Sequence, residues 1–482
     1  MLAWSQIHGV SYISTYPDSR AWAMKMESMT QNFGRTIPQG NSYYKRFLGD
    51  EMLYSVLSAS DRAKLHYVIE LQRNSTTATP FTQLAKPVYP IDYYLFARNY
   101  QNEGITAPAN LSSFGKEYYQ NVFRSDWNPS GDTLSFIVPN TTSYIDRTNR
   151  LADSLSIDYA SHYDIVMPGS PEINYGGPST WGLLFDWNGM FRNGLMIGNG
   201  KAVPFPTAYP NQSNSTYRTI ARSNPTYFPA TQGAYTSVVI KSPNIQVIDG
   251  AIDNVLLDNE TLTTPRIQHP INVSRMVIYP FTEYPIIIDR MKSTTNKELV
   301  NHWRFASLNF TRNTTPLIYE NLTGAAVTNG TLSFDGSNYA WTGVAVGNVI
   351  DLKTSANSIR WNTTNIYGDE STLNLYTAPK VNLSFAKYPH VPTDGTTSTS
   401  AYFGVPYDGG SMKFFVIPTI FFVPASSTSH YRVTALISQY TNETSIAPSE
   451  LTVTGTGSAI KVDNDRIYTG LGVSTFDGFS TD

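Results

Sequence analysis

The seven histidines are the first residues to consider, because imidazole is the side chain most often used for metal binding and proton transfer. No two of them form an H-x-H or H-E-x-x-H pair, so no local metal site is encoded. A ligand set assembled across the fold remains open, but each isolated histidine is more simply explained as structural or surface. The seven are His8, His66, His162, His269, His302, His390 and His430.

Two short patterns resemble known sites, and both are better explained as turns. Gly198-Asn-Gly200-Lys201 lacks the glycine spacing and the following Ser or Thr of a phosphate loop. Asp463-Asn-Asp465 begins like a calcium loop, but Tyr468 occupies the position that requires glycine. No G-x-S-x-G nucleophile motif is present. The chain has no cysteine, which excludes thiol nucleophiles, disulfides and cysteine-ligated metals.

The composition limits the class of partner. The chain has 482 residues with a net charge of −3, and only 15% are charged, against about 25% in typical globular proteins. No basic stripe is visible, so we expect no nucleic-acid partner. The longest apolar stretch, 414–425, is broken by two prolines and is too short to span a bilayer. It predicts a buried strand pair, and no transmembrane segment is expected.

The first hundred residues favour helix. Residues 19–33 and 91–100 are candidate helices, and 102–113 is the expected linker. A further helix is predicted from Ser60, the expected N-cap, with Leu65, Val68, Ile69 and Leu71 on one face.

From about residue 133 the pattern changes to short strands separated by Gly, Pro, Asn and Asp, as in antiparallel sandwiches. The expected fold is therefore mainly β: a large antiparallel β-sandwich after a short helical N-terminal part. The strands are predicted at 134–138, within 155–167, and at 235–240, 245–248, 276–279, 284–288, 348–352, 373–376, 414–422, 431–438 and 451–453.

A series of short motifs follows a specific order along the chain. The order is Phe123-Arg-Ser-Asp-Trp127, Ala152-Asp-Ser-Leu-Ser-Ile-Asp-Tyr159, Met167-Pro-Gly169, Phe191-Arg-Asn-Gly-Leu-Met-Ile197, Arg275-Met-Val-Ile-Tyr279, Tyr284-Pro-Ile-Ile-Ile-Asp-Arg290 and His302-Trp-Arg-Phe305. This order resembles the β-sandwich half of the heparinase II/III-type polysaccharide lyases, which include oligoalginate lyases. The resemblance covers roughly residues 35 to 310. Pro38-Gln-Gly40 with Gly49-Asp50 is similar to the end of the family's helical toroid.

The sequence departs from the family pattern at four polar positions. The family's first histidine, a catalytic group, corresponds to Asn149, and its second, often a metal ligand, corresponds to Leu151. The aspartate of the family's turn corresponds to Met167, and a further histidine corresponds to Arg192. Leu and Met are poor ligands for zinc, so the resemblance implies a site without the family's metal. We expect no metal and no cofactor, and Leu151 and Met167 should pack in an apolar interior.

The resemblance implies β-elimination on a uronate-containing polysaccharide. This reaction requires a group that neutralises the carboxylate, a base for the C5 proton and an acid for the leaving oxygen. Arginine suits the first task, and histidine or tyrosine suits the other two. The candidate catalytic residues are Asn149, Tyr159, His162 and Arg192, and the candidate substrate-binding residues are Arg150 and Tyr163.

Each of these residues also has a structural interpretation. Tyr159 and Tyr163 can be ordinary sandwich aromatics, and His162 lies in a Ser-His-Tyr-Asp stretch that suits a turn. Arg192 can pair with an acidic neighbour.

Fourteen Asn-X-Ser/Thr sequons suggest an extracellular or cell-surface glycoprotein, although a composition rich in Asn, Ser and Thr also produces such triplets. The predicted glycosylation sites are Asn74, Asn110, Asn140, Asn211, Asn214, Asn259, Asn272, Asn309, Asn313, Asn321, Asn329, Asn362, Asn382 and Asn442.

Three segments are predicted: a helical N-terminal part at 1–105, a lyase-like sandwich at 106–320, and a β region at 321–482 that completes it. The expected partner is a polysaccharide, with self-association or a separate helical-toroid chain as further partners. Because the catalytic positions of the family are replaced together, a non-catalytic structural or surface-layer protein is the alternative to a lyase.

Overall fold

The fold is described from a computed structural model of the chain. It describes residues 20, 24, 27, 30–32, 57–74, 104–114, 120–138, 155–167, 193–198, 217–219, 234–255, 269–305, 316–320, 326–334, 339–342, 357–365, 367–379, 381–385, 391–392, 399–400, 402–406, 412–416, 419–444, 446, 448–454, 457–462, 465–469, 474–476 and 479–481.

Helix α1 spans Ala59–Asn74 and packs through Leu65, Val68 and Leu71, as its sequence pattern predicts. Its N-cap is Ser58 rather than the predicted Ser60, because the Ser58 hydroxyl accepts the Asp61 amide at 3.2 Å. In the described part of the chain, no helix is long and apolar enough to cross a membrane. The predicted helix at 91–100 lies outside the described residues.

A first antiparallel sheet contains five described strands in sequence order. These strands are β1 (Ser113–Phe114), β2 (Gln120–Arg124), β3 (Thr133–Ile137), β4 (Ile157–Ser161) and β5 (Asp164–Met167).

A second, larger antiparallel sheet contains fourteen of the described strands. They are β6 (Leu195–Gly198), β7 (Tyr217–Thr219), β8 (Tyr235–Lys241), β9 (Ile245–Ile252), β10 (Ile271–Pro280), β11 (Ile286–Arg304), β12 (Pro316–Glu320), β13 (Ala326–Phe334), β14 (Tyr339–Thr342), β15 (Asn357–Thr364), β16 (Glu370–Ala378), β17 (Asn382–Phe385), β22 (Thr419–Val423) and β23 (Ser427–Tyr440).

The other described strands form small antiparallel sheets. They are β18 (Val391–Pro392) with β19 (Thr399–Ser400), β20 (Tyr402–Pro406) with β21 (Met412–Val416), β24 (Pro448–Thr454) with β25 (Gly457–Val462) and β26 (Asp465–Thr469), and β27 (Ser474–Phe476) with β28 (Phe479–Thr481).

The large sheet is apolar on both faces, and successive side chains alternate between two cores. Ile287 and Leu436 join a core shared with the first sheet, whereas Ile286, Ile288 and Ile437 join a core shared with β24 and β25. The described chain is therefore mainly β with antiparallel, face-packed sheets, which confirms the predicted fold class.

Strand β11 links many parts of this architecture. Its first half pairs with β10 and β23, and its second half pairs with β6 and β22.

Residues 414–425 do contain two strands, but these do not pair with each other. β22 pairs with β11 and β17, and β21 pairs with β20, so the predicted strand pair is wrong. The strand predicted at 348–352 lies outside the described residues.

Arg124 joins the N-terminal segment to the first sheet. Its guanidinium is fully buried, lies 4.2 Å over the Trp127 ring, and donates at 2.7 Å to the carbonyls of Glu27 and Thr30. Nearby, Asn32 donates from its amide nitrogen to the Asp126 carbonyl at 2.8 Å. The Arg-Ser-Asp-Trp motif is thus a structural connection between the helical segment and the sheet.

Candidate functional site

The turn between β4 and β5 contains two candidate residues in an unusual conformation. His162 and Tyr163 both have positive φ, 53° and 61°, which is the pattern of a type I′ hairpin turn. Such turns normally use Asn and Gly, because larger L-residues are strained at positive φ. The surrounding structure must therefore hold this turn in place, and strain of this kind is concentrated at functional sites.

Contacts from distant parts of the chain hold the turn. The His162 amide donates to the Ser130 carbonyl, and the His162 carbonyl accepts from Asn365 Nδ2, each at 3.0 Å. The His162 ring meets the Tyr440 ring edge-to-face with centroids 4.2 Å apart. The Tyr163 ring meets Tyr367 in the same manner at 4.8 Å. We call these four rings, with Asp132, Ser161 and Ser438, the turn site.

A chain of hydrogen bonds runs from the interior to the His162 ring. Tyr159 Oη donates to Asp132 Oδ2 at 2.6 Å, and Ser161 Oγ lies 2.5 Å from Asp132 Oδ1. Ser161 Oγ also lies 2.5 Å from His162 Nδ1, and Ser438 Oγ lies 3.0 Å from the same nitrogen. Asp132, Tyr159 and Ser161 are buried, whereas His162 is half-buried. The imidazole is therefore connected on its Nδ1 side to a buried carboxyl group.

Burial changes the protonation of this chain. It raises the pKa of Asp132 to about 6, although the hydrogen bonds from Ser161 and Tyr159 partly oppose this. Burial also lowers the pKa of His162, against the opposite effect of Glu443, so the ring is neutral at pH 7. Burial and the Asp132 charge raise the pKa of Tyr159 well above 10, which keeps its hydroxyl protonated.

Two acidic residues, Asp369 and Glu443, lie near the Tyr440 ring of the turn site. Burial, followed by Tyr163, Asp369 and Glu443, raises the pKa of Tyr440 to about 12. The carboxylates of Asp369 and Glu443 are on exposed residues of the two neighbouring turns. The site can therefore offer a neutral imidazole as a base and a neutral phenol as a hydrogen-bond donor.

The structure places three of the predicted site residues together. His162 and Tyr163 form the turn, and Tyr159 is connected to His162 through Asp132 and Ser161. The Tyr159 side chain is fully buried, and its hydroxyl donates a hydrogen bond to Asp132 rather than facing solvent. The other predicted site residues, Asn149, Arg150 and Arg192, lie outside the described residues.

Met167, expected in an apolar interior, is fully buried in the core shared by the two large sheets. Leu151 lies outside the described residues. Among the side chains that the structure describes, no group of three or more His, Asp or Glu is placed to hold a metal ion.

A buried ion pair fixes the backbone near the undescribed positions. Arg275 donates from Nε to Asp289 Oδ1 at 2.6 Å, and neither side chain is exposed. Its Nη1 donates to the carbonyls of Leu155, at 2.7 Å, and Asn193, at 3.0 Å. Leu155 follows Arg150 by five residues and Asn193 follows Arg192 directly. The Arg275 guanidinium therefore anchors both segments of chain where they enter the described fold.

Sequence analysis did not identify Asp132, Ser161, Ser438 or Tyr440. Ser161 adjoins His162, but its partner Asp132 lies 29 residues away and Ser438 lies 276 residues from His162. No local pattern connects residues so far apart. The only sequence indication was the Ser-His-Tyr-Asp stretch itself, which predicted a turn.

Among the comparisons with known proteins, the one with heparinase III supports the fold. No protein-family model matches the chain, and no curated protein matches it significantly. Among solved structures, heparinase III is similar with a TM-score of 0.51 at 11% identity, over 95% of this chain and 55% of that one. The heparan sulfate lyase HepC from Pedobacter heparinus has a TM-score of 0.48 at 13% identity, over 92% of this chain and 51% of that one. The chain spans about half the length of these proteins, and the likeness concerns the fold alone.

Proposed function

We propose that this chain is the β-sandwich part of a secreted or cell-surface protein that binds acidic, uronate-containing polysaccharide at the turn site and cleaves it by β-elimination. The observation that carries the proposal is the environment of His162, a neutral imidazole held in a strained turn beside tyrosine rings. The similarity of the fold to heparinase III supports a polysaccharide as the ligand class.

In this proposal His162 takes the C5 proton of the uronate through Nε2. Tyr440, which stays protonated because its pKa is raised to about 12, donates to the leaving glycosidic oxygen. Tyr163 and Tyr367 offer ring surfaces to the sugar. The carboxylate is neutralised by Arg192, with Arg150 and Asn149 as further contacts, in keeping with the sequence prediction.

The test is incubation with alginate, heparin, hyaluronan and glucuronan, followed by the ultraviolet absorbance of the unsaturated product. His162→Gln, Tyr440→Phe and Arg192→Ala should each lower the rate, the last by roughly 10²–10³-fold if Arg192 stabilises the transition state. His66→Gln and Tyr468→Phe, on α1 and β26, are matched controls that should retain activity. Activity that survives His162→Gln would contradict the assignment.

A second candidate is a non-catalytic glycan-binding or surface-layer protein. The exposed carboxylates of Asp369 and Glu443 favour it, because they repel a uronate at the turn site. Titration with neutral and uronate polymers distinguishes the two. Binding of neutral glycan that is lost in Tyr163→Ala, without product from any uronate polymer, would support this candidate.

A further inference from the structure

The contacts of Ser161 determine where the hydrogens of the turn site lie. Its Oγ is 2.5 Å from both Asp132 Oδ1 and His162 Nδ1, but a hydroxyl has only one hydrogen to donate. An ionised carboxylate has no hydrogen, so Ser161 must donate to Asp132. The hydrogen between Ser161 and His162 must then belong to Nδ1, because two lone pairs do not face each other at this distance.

This arrangement selects one tautomer of the neutral imidazole. A neutral ring has one N–H, so a hydrogen at Nδ1 leaves the lone pair at Nε2. Ser438 Oγ, 3.0 Å from Nδ1, provides a second acceptor for the same N–H. Within the described part of the chain, Nε2 makes no hydrogen bond. It is therefore the nitrogen available to a ligand.

We propose that Asp132 and Ser161 are positioning residues that hold His162 protonated at Nδ1. When Asp132 is neutral, the hydrogen bonds from Asp132 through Ser161 to His162, which we call the relay, reverse their direction and the imidazole hydrogen lies at Nε2. In the neutral state Tyr159 still donates to Oδ2, so the carboxyl hydrogen lies on Oδ1 and is donated to Ser161. Ser161 then donates to Nδ1. Only Asp132 gains a proton; the imidazole loses one at Nδ1 and gains one at Nε2.

The groups around the relay define its pH dependence. Tyr159, Tyr279 and the charge of Asp126 face Asp132, and the net effect of burial places its pKa at about 6. Tyr440 contacts the His162 ring, and Glu443 acts on its charge. The consequence for catalysis rests on the proposed function, because only the tautomer with a free Nε2 serves as the base.

The test is ¹⁵N NMR of the full chain with labelled histidine at pH 8, where Asp132 is ionised. Long-range ¹H–¹⁵N correlations distinguish the Nδ1–H and Nε2–H tautomers, and the His162 signals are those missing in His162→Gln. We expect Nδ1–H in the wild type. Asp132→Asn should give Nε2–H, because the amide donates to Ser161 as the neutral acid does. Tyr159→Phe, which leaves the Asp132–Ser161 contact in place, should remain Nδ1–H.

A wild-type ring in the Nε2–H form, or an unchanged tautomer in Asp132→Asn, would overturn the inference. If Asp132→Asn does not fold, Ser161→Ala serves instead and should abolish the strong preference for Nδ1–H. The NMR result is independent of activity. The expected tautomers without cleavage of any polymer would contradict the proposed function alone, whereas cleavage with the wrong tautomer would contradict only the relay.

Discussion

Asp132 is a carboxyl group kept in the interior by hydroxyl donors rather than by a cation. Tyr159 and Ser161 satisfy its two oxygens, but neither supplies a positive charge. Hydroxyl donors stabilise a carboxylate less than an ion pair does. Desolvation therefore prevails, and the pKa of Asp132 rises to about 6.

This shift predicts how stability changes with pH. Since the pKa of Asp132 is higher in the folded state, about 6, than its ordinary 3.8, the folded chain binds more protons between these values. The stability from Asp132 is fully present below about pH 4 and is lost as the pH rises through 6. The loss is about 3 kcal/mol at ~1.4 kcal/mol per pKa unit.

Urea unfolding of wild type and Asp132→Asn from pH 4 to 8 measures this effect. The variant should lack the decline in the free energy of unfolding between pH 4 and 6 that the wild type shows. Asp253→Asn, at an exposed position, is the control and should retain the wild-type slope. Equal slopes in wild type and Asp132→Asn would show that Asp132 has an ordinary pKa.

At the scale of elements, the connection through Arg124 should decide whether the N-terminal segment stays on the sheet. Arg124→Ala leaves the carbonyls of Glu27 and Thr30 without this donor, at roughly 1–3 kcal/mol for each buried group. We expect a loss of about 2–4 kcal/mol and faster hydrogen exchange at residues 30–32.

Arg290→Ala is the matched control for Arg124. Its ion pair with Asp249, at 2.6 Å, does not involve the carbonyls of Glu27 and Thr30, so Arg290→Ala should leave hydrogen exchange at residues 30–32 unchanged. Equal effects of the two substitutions, or unchanged exchange in Arg124→Ala, would show that the segment is held by other contacts.

The elements also show what local pattern can predict. The apolar face of α1 is local, and the sequence predicted it. Strands were predicted at 276–279 and 284–288, whereas β10 spans Ile271–Pro280 and β11 continues from Ile286 to Arg304. The strand at 155–167 was predicted as one mixed element, but two strands and a two-residue turn occupy it. A turn was predicted at Ser-His-Tyr-Asp as the structural interpretation of His162, but its I′ type was not, because His and Tyr replace the usual Asn and Gly. Partners such as Ser438 depend on strand register, which no local pattern specifies.

At the scale of the whole molecule, the predicted extracellular location can be tested by measuring which sequon asparagines carry glycan. Among sequons with described side chains, Asn110, Asn272 and Asn442 are exposed. Asn272 Oδ1 accepts the Asn254 amide at 3.0 Å, an interaction compatible with a glycan on Nδ2. We expect glycan at these three positions in protein from the native host, measured by glycopeptide mass spectrometry. Unmodified peptides at all three positions would remove the main argument for an extracellular location.

The pairing of β11 with β23 has a consequence for how the chain emerges from the ribosome. β11 ends at Arg304 and β23 begins at Ser427, so synthesis of the partner strand follows after about 120 residues. At roughly 5–20 residues per second, this delay lasts about 6–25 seconds. During that time the apolar run Ile286, Ile287 and Ile288 has β10 on one edge and an open edge on the other. The nascent chain therefore offers chaperones a long isoleucine-rich strand edge until its C-terminal third is made.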